Sequence, residues 1–125
     1  MNKTIDLGKY KASNSTIYTG RPQGESVRDK IELDKEDKNL EKIIFLIPEE
    51  TTSLNPSFYL GLLFKSIKKL GIEAFTEKYS FDMATKDEST KTVLQRNLED
   101  GMRNALNIID HKTGLRLFID KLNNE

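Results

Sequence analysis

The chain has no cysteine and a single histidine, His111. Without thiols there is no disulfide and no thiolate metal site. One imidazole is too few for a structural zinc centre built from cysteine and histidine. Net charge is absent as well, because 20 lysines and arginines balance 20 aspartates and glutamates. A neutral chain has no overall field to steer it onto nucleic acid or an anionic membrane. Long apolar runs are also missing. The longest unbroken apolar stretch is Ile43 to Pro48, far short of the roughly 20 residues a membrane helix needs. Met1 to Lys11 alternates polar and apolar residues, unlike the apolar centre of a signal peptide. The expected setting is the cytoplasm.

What is present suits one small α/β domain spanning residues 1–125. Hydrophobic residues are 36% and charged residues 32% of the chain. The apolar residues are clustered and periodic, which excludes disorder. Ile5 and Leu7 alternate with polar neighbours and predict a first strand over about Lys3 to Tyr10. A turn follows at Ser13 to Ser15, then a short strand at Thr16 to Thr19. Gly20 to Gly24 breaks the chain ahead of a short helix carrying Val27 and Ile31 one turn apart. The charge-dense stretch Leu33 to Glu41 reads as a solvated connection.

The run Lys42-Ile43-Ile44-Phe45-Leu46-Ile47-Pro48 predicts a central strand, apolar on both faces as if covered by helices on both sides. After a polar loop, Glu49 to Leu54, Asn55 is a good N-cap and Pro56 suits the first helical position. That helix is expected to end at Gly71, after Lys68 and Lys69, whose charges suit its C-terminus. A strand is predicted near Tyr79 to Met83. A long helix then runs over about Ser89 to Ile109, with Leu94, Leu98, Met102, Ala105 and Ile109 on one stripe and Gly101 beside it. Asp110 to Gly114 reads as a turn. Alternation at Leu115, Leu117 and Ile119 predicts an added C-terminal strand before a fraying tail. The fold expected is α/β (α+β), a small mixed sheet packed by about three helices.

Two segments resemble the STAS-like domain family, distant cousins of anti-sigma-factor antagonists. Gly24-Glu25-Ser26-Val27-Arg28-Asp29-Lys30-Ile31 resembles a family segment reading Gly-Glu-Glu-Phe-Arg-Asp-Lys-Leu. Pro56-Ser57-Phe58 resembles a Ser-Ser-Phe segment placed between a buried strand and a helix. The resemblance covers about Thr4 to Leu106. It implies a regulatory, protein-binding module rather than an enzyme, and its relatives include phage-borne domains. In the antagonists a serine at this helix start is phosphorylated. Here Pro56 stands at the first serine position, and Glu49-Glu50 replaces an acidic Asp-Leu-Asp-Gly type of turn. Ser57 is then the possible phosphoacceptor, with Ser53 the other nearby hydroxyl, and a phosphate at a helix N-terminus would be electrostatically favoured.

No arrangement for catalysis stands out. Glu49 and Glu50 are adjacent, so a continuing strand would send them to opposite sides. Asp82 and Asp87 lack a companion, and His111 sits in a charged turn. Gly20 to Gly24 is not a phosphate-binding or dinucleotide fingerprint, and no cofactor or metal is indicated. Arg21 and Arg28 are candidates for contact with an acidic partner. Lys65, Lys68, Lys69 and Lys78 make a local basic patch without aromatics to stack bases, which weighs against nucleic acid.

The helix from Pro56 to Leu70 is apolar around about two-thirds of its circumference at 100° per residue. One sheet face needs a narrower stripe, so the surplus requires the C-terminal segment, a neighbouring helix or another protein chain. The expectation is therefore a non-catalytic binding module. It would use the loop 49–55 and the start of this helix, with Asn55, Ser57, Phe58, Tyr59, Leu62 and Lys65 as candidate partner contacts. Self-association through the same helix is a close variant. The alternatives are a small phage or mobile-element inhibitor of a host complex, and a small-ligand or phosphate-binding domain using a pocket beside Glu49 and Ser57.

Overall fold

A computed structural model describes residues 2–10, 17–83 and 86–124; side chains are described up to residue 109, Ile17 excepted. The architecture is mixed α/β. Strands β1 (Asn2–Asp6), β3 (Lys42–Leu46) and β5 (Tyr79–Asp82) form a parallel sheet in the order β1-β3-β5, and β2 (Ile17–Tyr18) pairs in parallel with β4 (Ser53–Leu54). The helices are α1 (Arg21–Ile31), α2 (Leu33–Glu36), α3 (Pro56–Leu70), α4 (Ile72–Lys78) and α5 (Glu88–Asn124), with a 3-10 turn at Leu7–Lys9.

The sheet advances in one direction. Parallel strands joined through helices cross over right-handedly, so both crossovers leave their helices on the same face. Packing agrees: α1 lies on α3, and α3 on α5. This corrects the expectation of a central strand covered on both sides. Ile43 and Phe45 are fully buried under the helices, whereas Ile44 and Leu46, on the opposite face, are only half-buried. Their row neighbours Thr4 and Ser80 are exposed. The expected mixed sheet is parallel throughout its three strands.

Helix α3 forms where expected. Asn55 has extended backbone angles and its side chain accepts from the Ser57 amide at 2.8 Å. Pro56 follows at the first position. The helix stops at Gly71, whose φ of 85° is open to glycine at little cost and whose amide reaches the Ile67 carbonyl at 2.9 Å. A further short helix, α4, was not foreseen; it leads directly into β5.

The core joins Phe58, Leu62, Leu63 and Ile67 of α3 to Val27 of α1, Leu94 and Ala105 of α5, and the sheet's inner face. Gly101 faces the Tyr59 ring, where a Cβ would fall 2.5 Å from the nearest ring carbon. The small residue beside the α5 stripe thus admits a tyrosine. Asp87 caps α5 by accepting from the Thr90 amide at 2.7 Å, and this bond holds its carboxyl below the usual range.

Two readings are corrected here. The stretch Leu33 to Glu41 is not merely a solvated connection, because Leu33, Glu36 and Asp37 are buried. The C-terminal strand and the turn before it are also replaced: α5 continues unbroken to Asn124. Alternation at Leu115, Leu117 and Ile119 competes with a helical spacing, Leu115, Phe118, Ile119 and Leu122, in the same residues. Continuation of an existing helix avoids a new nucleation step. The Ser13 to Ser15 turn lies outside the described residues.

Candidate functional site

The end of the sheet where β3 finishes carries the loop 47–52, β4 and the N-terminus of α3. Each part is held from beneath. Lys86 is only 7% exposed, and its ammonium donates to the Pro48 carbonyl and, at 3.1 Å, to the Thr51 carbonyl. Asn97, on α5, accepts from the Leu54 amide at 2.9 Å and from the Ser53 hydroxyl at 3.4 Å. The Asn55 amide donates to the Tyr18 carbonyl at 2.7 Å, tying the start of α3 to β2. Above these tethers Glu49, Glu50 and Thr52 are exposed. Neither Lys86 nor Asn97 was singled out from sequence. Lys86 sits in a polar stretch with no local signal; Asn97 is visible only as a polar residue flanking the α5 stripe.

The candidate contacts separate sharply. Asn55 and Ser57 are half-buried at the mouth of the helix, and the Ser57 hydroxyl donates to the Asn55 carboxamide oxygen. Lys65 is exposed. By contrast Phe58 is 0% exposed, Leu62 1% and Tyr59 3%. Phe58 packs on Tyr18 with ring centroids 5.1 Å apart, and Tyr59 lies between Gly101 and Phe81. This corrects their role: the three are core residues, not surface anchors. The surplus apolar arc of α3 is covered by neighbouring helices, α1 on one side and α5 on the other.

Beneath the loop, the Tyr18 and Thr51 hydroxyls are both buried. Burial pushes the Tyr18 phenol up to about 12. Burial raises Tyr59 above the ordinary phenol value too. Glu49 and Glu50 are both exposed. Among the described residues no three histidine, cysteine, aspartate or glutamate side chains come close enough to hold a metal ion. The His111 side chain lies outside the described ones.

Arg28 has a different fate from the surface contact expected. It is 3% exposed and bonds to the Leu62 carbonyl at 2.9 Å, Ser66 Oγ at 2.7 Å, Asp34 at 2.8 Å and Asp37 at 2.8 Å. Asp37 also accepts from the Ser66 and Tyr79 hydroxyls. The cluster locks α1 and α3 to the turn after α2 and to β5. Arg21 stays at the surface, 5.5 Å over the Phe64 ring and paired with Glu25 at 3.5 Å. Lys78 leaves the basic patch, since its ammonium donates to the Asn39 and Glu41 carbonyls at 2.8 and 2.7 Å.

Compared with protein-family models, with curated proteins and with solved structures, the chain matches none. No described helix is long and apolar enough to cross a membrane.

Proposed function

We propose that this chain is a non-catalytic, protein-binding regulatory module of STAS-like type. Its contact surface is the strand-end loop 49–55 with the first turn of α3. The observation that carries the reading is the tethering of that loop. A buried ammonium gathers the Pro48 and Thr51 carbonyls, and Asn97 fixes Leu54. A loop so constrained presents Glu49, Glu50 and Thr52 in one arrangement, and pre-ordering lowers the entropic cost of binding. With Phe58, Tyr59 and Leu62 inside the core, the recognition chemistry is polar, with Asn55, Ser57 and Lys65 remaining as contacts. Ser57 is the phosphoacceptor in this reading. The amides at the helix mouth favour an added phosphate, which would displace the present hydroxyl bond to Asn55.

The test compares host-protein capture by the native chain, Glu49→Arg, Thr52→Arg and Leu40→Arg. Leu40 is fully exposed and lies just before β3, at the other end of that strand. Both loop variants should lose the same captured partner while the Leu40 variant keeps it. Retention by the loop variants would refute this surface. Mass spectrometry after incubation with host extract and ATP should find phosphate on Ser57 and none on a Ser57→Ala chain.

A further inference from the structure

A cavity of about 360 Å³ lies at the end of the sheet where β3 begins, between the turn 37–42, Leu70 at the end of α3, and Ala74 and Glu77 of α4. Leu40, in that turn, is fully exposed at the cavity's rim. The turn is clamped on both sides of it. The Lys78 ammonium donates to the Asn39 carbonyl at 2.8 Å, to Asn39 Oδ1 at 3.0 Å and to the Glu41 carbonyl at 2.7 Å. The Glu41 amide donates to Asn39 Oδ1 at 2.9 Å, and Asn39 Nδ2 donates to Glu36 at 3.3 Å. The leucine is thus a fixed apolar knob beside a hole whose apolar wall is half-buried Leu70 and exposed Ala74.

We infer that this end of the molecule is a contact between two copies of the chain, in which Leu40 of each enters the cavity of the other. A two-fold interface is self-complementary: a residue that meets a second one is met by it in turn. A knob and a hole side by side on one surface satisfy that condition. Because the turn is already held, little entropy is lost in fixing it on contact.

Charge favours a second copy over a partner of one sign. Lys38, Lys42, Glu41 and Glu77 line the cavity, two of each sign, and none of these four side chains has an ion pair or hydrogen bond among the described residues. The other charged groups of the lining are committed, Asp37 to Arg28, Ser66 and Tyr79, and Lys78 to the turn. Outside the lining, α3 ends in exposed Lys68 and Lys69 and α4 carries exposed Glu73, so the surroundings are mixed as well. A strongly acidic or basic partner would meet its own sign at half of the four free positions. A second copy brings lysines to the glutamates and glutamates to the lysines. The contact is small, since about 20–30 residues a side make a stable interface. The dissociation constant is therefore on the order of 0.1 mM.

The loop 49–55 follows β3 and this cavity precedes it, so the two surfaces stand or fall separately. Sedimentation equilibrium from about 0.01 to about 1 mM should show monomer passing to dimer, with the Leu70 and Ala74 amide resonances moving over the same range. Leu40→Asp should weaken association about tenfold or more. Leu40 is fully exposed, so that variant keeps the core intact. A chain with Glu41→Lys and Glu77→Lys, and a second with Lys38→Glu and Lys42→Glu, should each be monomeric alone and form a mixed dimer when combined. Glu49→Arg should leave association unchanged. The inference is overturned if the native chain stays monomeric at about 1 mM, if Leu40→Asp associates as tightly as the native chain, or if the two charge variants, folded by circular dichroism, fail to pair.

Discussion

Gly24 of α1 and Gly61 of α3 meet where their helices cross, each leaving room for the other's backbone. A Cβ on Gly24 would lie 2.2 Å from the Phe58 carbonyl oxygen, and one on Gly61 would lie 2.1 Å from the Arg21 carbonyl oxygen. The obstacle is backbone, which no rotamer change relieves. Gly24→Ala and Gly61→Ala should each destabilise the protein by about 3 kcal/mol in urea titrations. The double variant should lose less than the sum, because one separation of the helices relieves both clashes.

The Arg28 cluster gives a second expectation. Arg28→Met leaves the Asp37 carboxylate buried without its cation, and Asp37→Asn leaves the guanidinium short of a charge. Each should cost about 3 to 5 kcal/mol in chemical denaturation. Asp34 also binds Arg28, but its side chain is 73% exposed. Asp34→Asn should therefore cost no more than about 1 kcal/mol. The Arg28 bond holds the Asp34 carboxyl below the usual range. Its small contribution is present above the ordinary carboxylate pKa and is lost as pH falls through the lowered value.

Alkaline pH should weaken the fold through its buried phenols. Tyr18 titrates near 10 when unfolded and is pushed up to about 12 by burial. Tyr79 is raised as well, by burial and then by its bond to Asp37. Between the two pKa values the unfolded chain has released a proton that the folded chain keeps, so stability falls as pH rises. From pH 10 to 12 Tyr18 alone accounts for about 2 to 3 kcal/mol. Stability measured against pH should drop less steeply in Tyr18→Phe over that window.

Removal of the loop's lower tether has a local signature. Lys86→Met removes the ammonium from the Pro48 and Thr51 carbonyls, leaving Pro48 only its bond from the Thr51 amide, and should cost about 2 kcal/mol. The Thr51 amide, which donates to Pro48 at 3.0 Å, should exchange its hydrogen at least about tenfold faster, while the Phe45 amide in the central strand slows or speeds only with global stability.

Ser57→Glu places a carboxylate in the first turn of α3. It should stabilise the protein by about 0.3 to 1 kcal/mol at low ionic strength, an effect that salt removes. Thermal melts at two salt concentrations would show the difference.

Local chemistry made several of these elements legible. Asn55 and Pro56 announce the start of α3 and Gly71 its end, because capping and φ restriction act within a few residues. The α5 stripe at Leu94, Leu98, Met102 and Ala105 was readable for the same reason: helical period alone puts it on one face. The placement of Phe58 and Leu62 was not readable. Helical period shows that α3 has apolar residues around most of its girth, but two other helices, distant in sequence, decide whether that girth is buried. Lys86 was hidden too, since its carbonyl partners belong to a loop 35 and 38 residues away. The segment 110–124 carries both a strand-like and a helix-like pattern, and α5 resolves it by continuing.

By itself, then, the chain specified which stretches are strands or helices over most of its length, where α3 begins and stops, and that no thiol chemistry is open to it. Those properties depend on neighbours within one or two turns. Tertiary structure alone decided that Arg28 is a buried tie rather than a surface contact, that Phe58, Tyr59 and Leu62 serve the core, and that β5 is an edge strand of the sheet among the described residues. Each depends on charge compensation, coverage or strand order between segments far apart in sequence, where burial rather than local preference determines the outcome.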